Sequence, residues 1–130
     1  MTAVVDASAL LDAIMPGTRQ DAAIAALGGH ELFAPALLDL EVLSALWRLV
    51  RVEQITPEEA ENGVAALRDA PIRRVPIESL AVEAWELRQS LRITDAFYVV
   101  AARVLGASLV TSDARLSRAP KLGVTLTLLR

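Results

Sequence analysis

Residues 93–116 constrain the fold more than any other stretch, because they predict a buried helix, a tight turn and a buried strand in direct succession. Thr94 suits the N-cap of that helix, and Asp95 then lies in the first turn, where the helix dipole favours an anion. Gly106 suits the left-handed residue that ends a helix. Asp113 follows the strand, at the carboxyl end where ligand sites of open parallel α/β sheets form. Asp95 and Asp113 are therefore the first candidate site residues.

Asp6 occupies the same kind of position near the N-terminus. Residues 3–5 form a short, continuous apolar run, which is typical of a central parallel strand, and Asp6 ends it. A helix begins at once with residues 7–11. Two interpretations of Asp6 stay open at this point: it caps the following helix, or it belongs to a site at the end of the strand.

A helix predicted over residues 36–50 contributes a further candidate. It is apolar nearly all round, which indicates a helix that is buried on most sides or packs against another subunit. Asp39 and Glu41 point about 200° apart on this helix, so they cannot serve one site together. The helix dipole explains Asp39, which lies in the first turn. Glu41 shares a face with Ser44 and Arg48, and it is either a site residue or the partner in an internal ion pair.

The rest of the chain continues the alternation of strands and helices. Further helices are predicted over 19–27, 57–68, 79–89 and 114–118, and further strands over 32–34, 73–77 (near an edge of the sheet) and 124–129. Thr56 to Glu59 predicts a capping box. Core packing is favoured over a dimer interface for Trp47 and Trp85, and His30 is expected in solvent. The alternation predicts an α/β fold, a single three-layer α/β/α domain over residues 1–130 with a mainly parallel central sheet.

Composition narrows the functional classes. The chain has no cysteine and one histidine, which excludes disulfides and leaves zinc without a set of ligands. No apolar run approaches the ~18–20 residues of a membrane span, and the start lacks the basic segment of a signal peptide, so we expect a cytoplasmic protein with no membrane partner. The net charge of −3 argues against broad electrostatic capture of nucleic acid, but it allows an acidic site that carries a metal ion.

Ordinary capping and surface patterning leave one set of carboxylates least explained: Asp6, Glu41, Asp95 and Asp113. Two such charges about 4 Å apart repel by about 4 kcal/mol at an effective dielectric constant of about 20. A hard divalent cation removes this cost, and an all-oxygen ligand set suits Mg²⁺ or Mn²⁺. Such ions bind phosphate oxygens and generate hydroxide. The pattern therefore indicates phosphoryl transfer or phosphodiester cleavage, and it leaves the substrate open.

Four stretches resemble the motifs of PIN domains, in the same order along the chain. They are Val5-Asp6-Ala7-Ser8-Ala9-Leu10-Leu11, then Leu38-Asp39-Leu40-Glu41-Val42-Leu43-Ser44-Ala45-Leu46, Thr94-Asp95-Ala96-Phe97-Tyr98-Val99-Val100-Ala101-Ala102 and Leu109-Val110-Thr111-Ser112-Asp113-Ala114-Arg115-Leu116. The match covers essentially the whole chain, whose length suits the VapC-type toxins of toxin–antitoxin pairs. The resemblance implies a Mg²⁺- or Mn²⁺-dependent endoribonuclease that acts on RNA and forms a homodimer. It also implies neutralisation by a small cognate VapB-type antitoxin that covers or enters the acidic site.

Carried over residue by residue, the resemblance makes the four carboxylates the catalytic and metal-binding residues, with Ser8 and Thr111 as supporting hydroxyls. These hydroxyls also have an interpretation as local caps. The chain departs from the commoner pattern after the last motif, where some members carry a further polar or acidic residue and this chain has Arg115 and Leu116. Whether one metal ion binds or two is therefore open. Our hypothesis is that Arg115 faces the site and contacts phosphate or an antitoxin acid.

Two other classes of protein are weighed against this resemblance. A phospho-acceptor signalling domain would carry paired acids after the first strand and a lysine near a late strand end. Here Ala7 and Ser8 follow Asp6, and Lys121 precedes the last strand, so that class fits poorly. A PIN-like binding module without catalysis is the other alternative. Metal-dependent cleavage of RNA that is abolished by Asp6→Asn, with the fold intact, would separate it from an enzyme.

Overall fold

The computed structural model of the chain describes residues 1–119 and 122–129, and these contain one five-stranded sheet. Its strands are β1 (Thr2–Val5), β2 (Glu31–Pro35), β3 (Ile72–Val75), β4 (Ser108–Thr111) and β5 (Leu126–Leu128). Their order across the sheet is β3-β2-β1-β4-β5, and each neighbouring pair is parallel. The prediction of a mainly parallel sheet is confirmed, and β3 lies at an edge as expected.

Helices cover both faces of this sheet. They are α1 (Ala7–Ile14), α2 (Gln20–Leu27), α3 (Leu38–Arg51), α4 (Pro57–Asp69), α5 (Ala81–Glu86), α6 (Ile93–Leu105) and α7 (Ala114–Ser117). Helix α1 contacts α2, α3 and α4, whereas α5 contacts α6, and α6 packs on β1, β2 and β4. The three-layer α/β/α prediction is therefore confirmed.

The central strands and helix α6 form the middle of the core. Val4 and Val5 on β1 and Leu109 on β4 are buried, since a parallel strand with helices on both faces has no solvent side. Helix α6 is equally apolar and buries six of its residues against them: Ala96, Tyr98, Val99, Val100, Ala101 and Ala102. Gly106 ends this helix at φ 60°, the left-handed conformation that its position in the sequence predicts.

The order of the strands creates a switch point at β1. From β1 the chain moves outward through β2 to β3, and it then returns to place β4 on the other side of β1. The connections on either side of β1 therefore leave in opposite directions, and a crevice opens beyond the carboxyl ends of β1 and β4. Asp6 follows β1 and Asp113 follows β4. The fold thus places both strand-end acids at this crevice.

Several local predictions are wrong. Helix α6 begins at Ile93 with Arg92 as N-cap, so Thr94 lies inside the first turn and does not cap the helix. The N–H of Ala96 bonds to the Arg92 carbonyl at 2.9 Å, which closes that turn earlier than the position of Thr94 suggests. Trp47 and Trp85 are each 60% exposed and do not pack in the core.

Helix α3 is buried along one stripe and not on most sides. Leu38, Val42 and Leu46 lie in the core, whereas Leu40 is 68% exposed and Leu43 is also exposed. The alternative prediction, that the remaining apolar face packs against another subunit, stays open. The capping box at Thr56 is confirmed by a pair of reciprocal hydrogen bonds with Glu59.

The bounds of the remaining elements differ from the predicted ones in both directions: β5 and α5 are shorter than predicted, whereas β2 and α4 are slightly longer. A 3₁₀ turn over Ile77–Ser79 precedes α5, so the helix predicted over 79–89 is broken and short.

His30 is half-buried and not fully solvated, with a buried Nδ1 that has no hydrogen-bond partner among the described residues. Lys121, weighed against the phospho-acceptor class, lies outside the described residues. Within the described residues, none of the helices combines the length and apolar character that crossing a membrane requires.

Candidate active site

Asp6 joins the end of β1 to the start of α1. It is the N-cap of α1, where its Oδ1 accepts a 2.9 Å hydrogen bond from the N–H of Ala9. Its own N–H bonds to the carbonyl of Val110 on β4 at 3.1 Å, which fixes the residue beside the neighbouring strand. The two interpretations of Asp6 are thus compatible, because a carboxylate that caps α1 also lies at the switch point of the sheet.

Two hydroxyl groups hold the Asp6 carboxylate in place. Ser8 Oγ donates to Asp6 Oδ1 at 2.7 Å, and Thr111 Oγ1 donates to Asp6 Oδ2 at 2.5 Å. The N–H of Ser112 donates to Ser8 Oγ at 3.0 Å, and the N–H of Asp113 donates to Thr111 Oγ1 at the same distance. The predicted supporting hydroxyls therefore tie the end of β1 to the segment that follows β4.

Burial and hydrogen bonding act on the pKa of Asp6 in opposite directions. The residue is 6% exposed, and this burial raises its pKa above the usual 3.8. The hydrogen bonds from Thr111, Ser8 and the N–H of Ala9 lower the pKa, whereas the charge of Asp95 raises it further, and the net direction is upward. Ionising the Asp6 carboxyl in the folded protein therefore carries a desolvation cost, and a nearby cation would offset it.

Glu41 is positioned by a residue on another helix. The hydroxyl of Tyr98, on α6, donates a 2.6 Å hydrogen bond to Glu41 Oε1, on α3. The alternative of an internal ion pair with Arg48 is not observed among the described residues. The pKa of Tyr98 is raised well above its usual 10.0 by burial first, then by the bond to Glu41 and by the nearby carboxylate charges.

Asp95 and Asp113 are neutralised by arginines of this same chain. Asp95 Oδ2 lies 3.2 Å from Arg92 Nε and 3.6 Å from Arg115 Nη2. Arg115 also forms a close ion pair with Asp113, whose Oδ1 accepts from the N–H of Arg115 at 2.9 Å. Burial raises the pKa of Asp113, but the hydrogen bonds and charge of Arg115 outweigh it and lower the pKa overall. Arg115 thus contacts two of the four candidate carboxylates, and its contact with phosphate or an antitoxin acid stays a prediction.

All four predicted carboxylates line one open depression of about 460 Å³. The same depression is lined by Ser8, Tyr98, Ser44, Arg48 and Arg92. In the present side-chain positions, no three acidic or histidine side chains of the described residues come close enough together to hold one metal ion. The four carboxylates thus share one depression without forming a tight cluster, and Arg92 and Arg115 supply counter-charge beside Asp95 and Asp113. Their catalytic and metal-binding roles stay a prediction.

Asp39 lies outside this site and has a structural partner. Its Oδ1 and Oδ2 accept from Arg74 Nη2 and Nε at 2.7 and 2.9 Å, a two-pronged ion pair that joins α3 to the edge strand β3. The helix dipole is therefore not its main explanation. The separation of Asp39 from Glu41 on the helix surface is confirmed, since the two residues bond to different partners.

Tyr98 is the site residue that sequence reasoning missed. A signal was present, because Tyr98 follows Asp95 by three residues and so lies on the same face of α6. The pairing of Arg92 with Asp95 follows the same three-residue spacing. Neither pattern identifies a partner on another element, which for Tyr98 is Glu41.

Comparison with known proteins fits this geometry. The family model of the PIN domain matches residues 3–122. Ribonuclease VapC3 of Mycobacterium tuberculosis is 41% identical over 117 residues, which cover 89% of this chain and 85% of the relative. The chain therefore belongs to the PIN-domain family. Within that family its relatives in sequence are VapC ribonucleases, the toxin class of toxin–antitoxin pairs.

Solved structures share the fold at low sequence identity. The structure of VapBC2 from Rickettsia felis, bound to a DNA fragment from their promoter, superposes with a TM-score of 0.69 at 13% identity and covers 100% of both chains. Mycobacterium tuberculosis VapC20, described as a sarcin–ricin loop cleaving toxin, superposes with a TM-score of 0.67 at 18% identity and covers 90% of this chain and 94% of its own. At these identities the two structures establish the fold alone.

Proposed function

We propose that residues 1–130 act as one domain, a metal-dependent endoribonuclease toxin that hydrolyses phosphodiester bonds of RNA. The observation that carries this proposal is the shared depression, which is lined by the four carboxylates Asp6, Glu41, Asp95 and Asp113 of a VapC-class chain. Cleavage of RNA would place the activity in the cytoplasm. Membership of the PIN-domain family displaces the phospho-acceptor alternative, and the binding module without catalysis remains the competing proposal.

The donor set suits a hard divalent cation. Among the described residues, the side-chain groups at the depression that can bind a metal ion are carboxylate and hydroxyl oxygens, and such ligands favour Mg²⁺ or Mn²⁺ over zinc or copper. The cost of burying Asp6 beside the charge of Asp95 is a second observation that favours a cation here. When bound, the ion would supply an activated water and neutralise charge on the phosphate.

Each carboxylate has its own means of positioning in this chain. Asp6 accepts three hydrogen bonds, from Ser8, Thr111 and the N–H of Ala9. A carboxylate has about four acceptor positions, so Asp6 keeps one for a bond to a metal ion. Tyr98 orients Glu41 through its hydroxyl. These contacts hold two acids of the site in fixed geometry before any ion or substrate arrives, which reduces the cost of ordering them later.

Arg115 has a conditional role in this proposal. It neutralises Asp95 and Asp113 while no cation does so, and it is 49% exposed, so its guanidinium has room to turn away. Once released, it would contact a substrate phosphate or an acid of the antitoxin. Arg115→Ala leaving both RNA cleavage and antitoxin affinity unchanged would remove this role.

A homodimer and a cognate VapB-type antitoxin are the proposed protein partners. The apolar face of α3 that this chain leaves uncovered supports an interface there, since Leu40, Leu43 and Trp47 are all exposed. Membership of the VapC class supports the antitoxin. Light scattering of the wild-type protein and of Leu40→Asp tests the dimer. A monomer in the wild type would contradict it.

The proposed activity is tested by cleavage of defined RNAs with Mg²⁺, with Mn²⁺ and with EDTA. The RNA panel includes a sarcin–ricin stem-loop, because a protein of the same fold is described as cleaving that loop. Asp95→Asn removes one site acid, and Asp39→Asn is its matched control, because Asp39 bonds to Arg74 outside the site. We expect discrete cleavage that requires metal and Asp95 and that survives in Asp39→Asn.

The opposite results separate the competing proposals. If the wild type neither binds a divalent cation in calorimetry nor cleaves any RNA, the alternative of a PIN-like binding module without catalysis is favoured. Cleavage that persists in Asp95→Asn or in EDTA would contradict the four-carboxylate site. Cation binding without cleavage of any RNA in the panel would exclude those RNAs as substrates and leave the acidic site supported.

A further inference from the structure

A second depression adjoins the acidic one, and its charge is opposite. It has a volume of about 450 Å³ and shares Arg92 and Asp95 with the acidic depression. Four arginines line it, namely Arg88, Arg92, Arg115 and Arg118, against one lining carboxylate, Asp95, and a second, Asp113, that pairs with Arg115 from outside the lining. In a chain of net charge −3 this is a local concentration of positive charge. We call this depression the arginine cleft.

The arginines of the cleft keep donors free for a ligand. Arg88 stacks on the Trp85 ring at 4.5 Å and donates one bond to the Trp85 carbonyl at 3.0 Å, which holds its guanidinium in place. Arg92 uses its Nε on Asp95, and each guanidinium carries five N–H donors in total. Arg118 has no carboxylate partner within the described residues. Gln89 and Ser90 add neutral hydrogen-bonding groups to the wall.

We propose that the arginine cleft binds a backbone phosphate of the RNA strand adjacent to the phosphodiester bond that is cleaved. This inference rests on the proposed ribonuclease function and extends it, because it assigns a substrate-binding subsite to residues outside the carboxylate set. Guanidinium groups recognise phosphate through paired hydrogen bonds, which is the chemistry that this lining offers. Arg118 is the residue whose donors are most available for that contact.

The position of the cleft favours RNA over an acidic protein segment. A polyanion that approaches a chain of net charge −3 and a depression lined by four carboxylates is repelled unless a basic surface leads to it. The cleft provides such a surface and shares the Asp95 wall with the acidic depression, so one strand can lie along both. An acidic segment of a protein that binds in the arginine cleft would gain nothing from the neighbouring acidic depression, because the four carboxylates there would repel it.

Binding of RNA in EDTA tests this subsite without any cleavage. The probes are a single-stranded RNA of twelve nucleotides and the sarcin–ricin stem-loop, each titrated between 50 and 200 mM salt. Arg118→Gln removes one cationic donor, and Arg118→Glu reverses its charge. Arg68→Gln is the matched control, because Arg68 pairs with Asp69 on α4 and lines neither depression.

We expect Arg118→Gln to weaken binding about three- to tenfold and to reduce the slope of log affinity against log salt by about 0.7 for the single strand. Arg118→Glu is expected to weaken binding further, while Arg68→Gln leaves affinity within twofold of the wild type. Circular dichroism checks that the exposed substitutions leave the fold intact.

Three results would overturn the subsite. The first is an affinity and a salt slope for Arg118→Gln that equal those of Arg68→Gln. The second is no measurable binding of either RNA by the wild type at 50 mM salt. The third is unchanged RNA binding with weakened binding of a polyglutamate peptide, which would assign the cleft to a protein partner. A wild type that cleaves RNA with Mg²⁺ or Mn²⁺ while Arg118→Gln binds RNA normally in EDTA refutes the cleft alone. Arg118-dependent binding in EDTA, with neither cation binding nor cleavage of the same RNAs when Mg²⁺ or Mn²⁺ is added, supports the cleft and counts against the nuclease.

Discussion

The Tyr98 hydroxyl donates a 2.6 Å hydrogen bond to Glu41 Oε1 and thereby joins helix α6 to helix α3 across the acidic depression. Tyr98 is 2% exposed, so its ring is fixed by the packing of the core and its hydroxyl has little freedom to seek another partner. The bond therefore restricts the half-buried Glu41 carboxylate to one orientation. Tyr98 is a positioning residue for Glu41 in this arrangement.

Tyr98→Phe should weaken cation binding by releasing Glu41. The substitution keeps the ring and removes the donor, so we expect the free energy of unfolding to fall by about 1 kcal/mol. Calorimetry should show a several-fold loss of Mn²⁺ affinity, and cleavage should recover at high metal concentration. In a double-mutant cycle with Glu41→Gln the two effects should be non-additive. Additive effects would show that the two side chains act independently.

Tyr98 should stay protonated well above the pH at which a free phenol ionises. Burial, the bond to Glu41 and the nearby acids raise its pKa, and Tyr98 is the only tyrosine, so phenolate absorbance reports this group alone. The denatured chain should titrate near pH 10 and the folded chain only as it unfolds. Because only the unfolded state releases this proton, stability should fall as the pH rises above about 10. A folded-state titration near pH 10 would contradict the structure.

The strand-end acids could be predicted from sequence because they depend on local pattern. The apolar runs that become β1 and β4 end directly before Asp6 and shortly before Asp113, and parallel strands bring their carboxyl ends to one edge. The helix α3 that carries Glu41 was also recognised from its apolar residues. The partners of these acids were not predicted, because the pairing of Glu41 with Tyr98 spans 57 positions of sequence.

The tryptophans show why burial was harder to predict than secondary structure. Trp47 has Arg51 over its ring at 5.7 Å, and Trp85 has Arg88 at 4.5 Å. Each arginine lies one helical turn after its tryptophan, a spacing that allows such stacking on an exposed face. Hydrophobicity alone assigns both rings to the core, whereas the arginine one turn later was the available signal for exposure.

Asp6→Asn should abolish metal-dependent cleavage and stabilise the metal-free fold at neutral pH. The pKa of Asp6 is raised, chiefly by burial, so the stability that its neutral form provides is present below about pH 4 and is lost as the pH rises through the raised pKa. An amide avoids this loss and can still accept the bond from Ala9. Urea unfolding in EDTA measures the difference in free energy of unfolding between the wild type and Asp6→Asn, and this difference should vanish below about pH 4.

The metal-loaded protein provides the control for this prediction. Mg²⁺ should raise the melting temperature of the wild type and leave that of Asp6→Asn unchanged, because only the wild type offers the carboxylate. A variant that is less stable than the wild type in EDTA at neutral pH would show that the hydrogen bonds to Asp6 outweigh its burial.

Asp39→Asn should weaken the fold slightly and spare the enzyme. The two-pronged bond to Arg74 is the first cause of the lowered pKa of Asp39, so its contribution is present above about pH 3.8 and is lost as the pH falls through the lowered pKa. Because the carboxylate is 42% exposed, solvent screens the pair, and the cost at neutral pH should be about 0.5–1 kcal/mol. Unfolding at pH 7 and pH 2.5 measures it, and loss of cleavage at full folding would place Asp39 in the site.

Arg115→Ala should raise the affinity for divalent cations. In the metal-free protein Arg115 neutralises Asp95 and Asp113, so an incoming cation must displace its guanidinium. Solvent screens an ion pair as exposed as this one, so the gain in cation affinity should be small, at most about fivefold. Calorimetric titration with Mn²⁺ measures the gain, which should shrink at high salt as screening weakens the ion pair.

Arg48→Ala is the matched control for the cation affinity. Arg48 lines the same depression but forms no ion pair with the acids among the described residues, so its removal changes the local charge equally without freeing a carboxylate. A larger gain in Arg115→Ala than in Arg48→Ala would assign the effect to direct competition for Asp95 and Asp113. Equal gains would assign it to the general field of the depression, and a loss of affinity in Arg115→Ala would show that the arginine assists the cation by orienting the two acids.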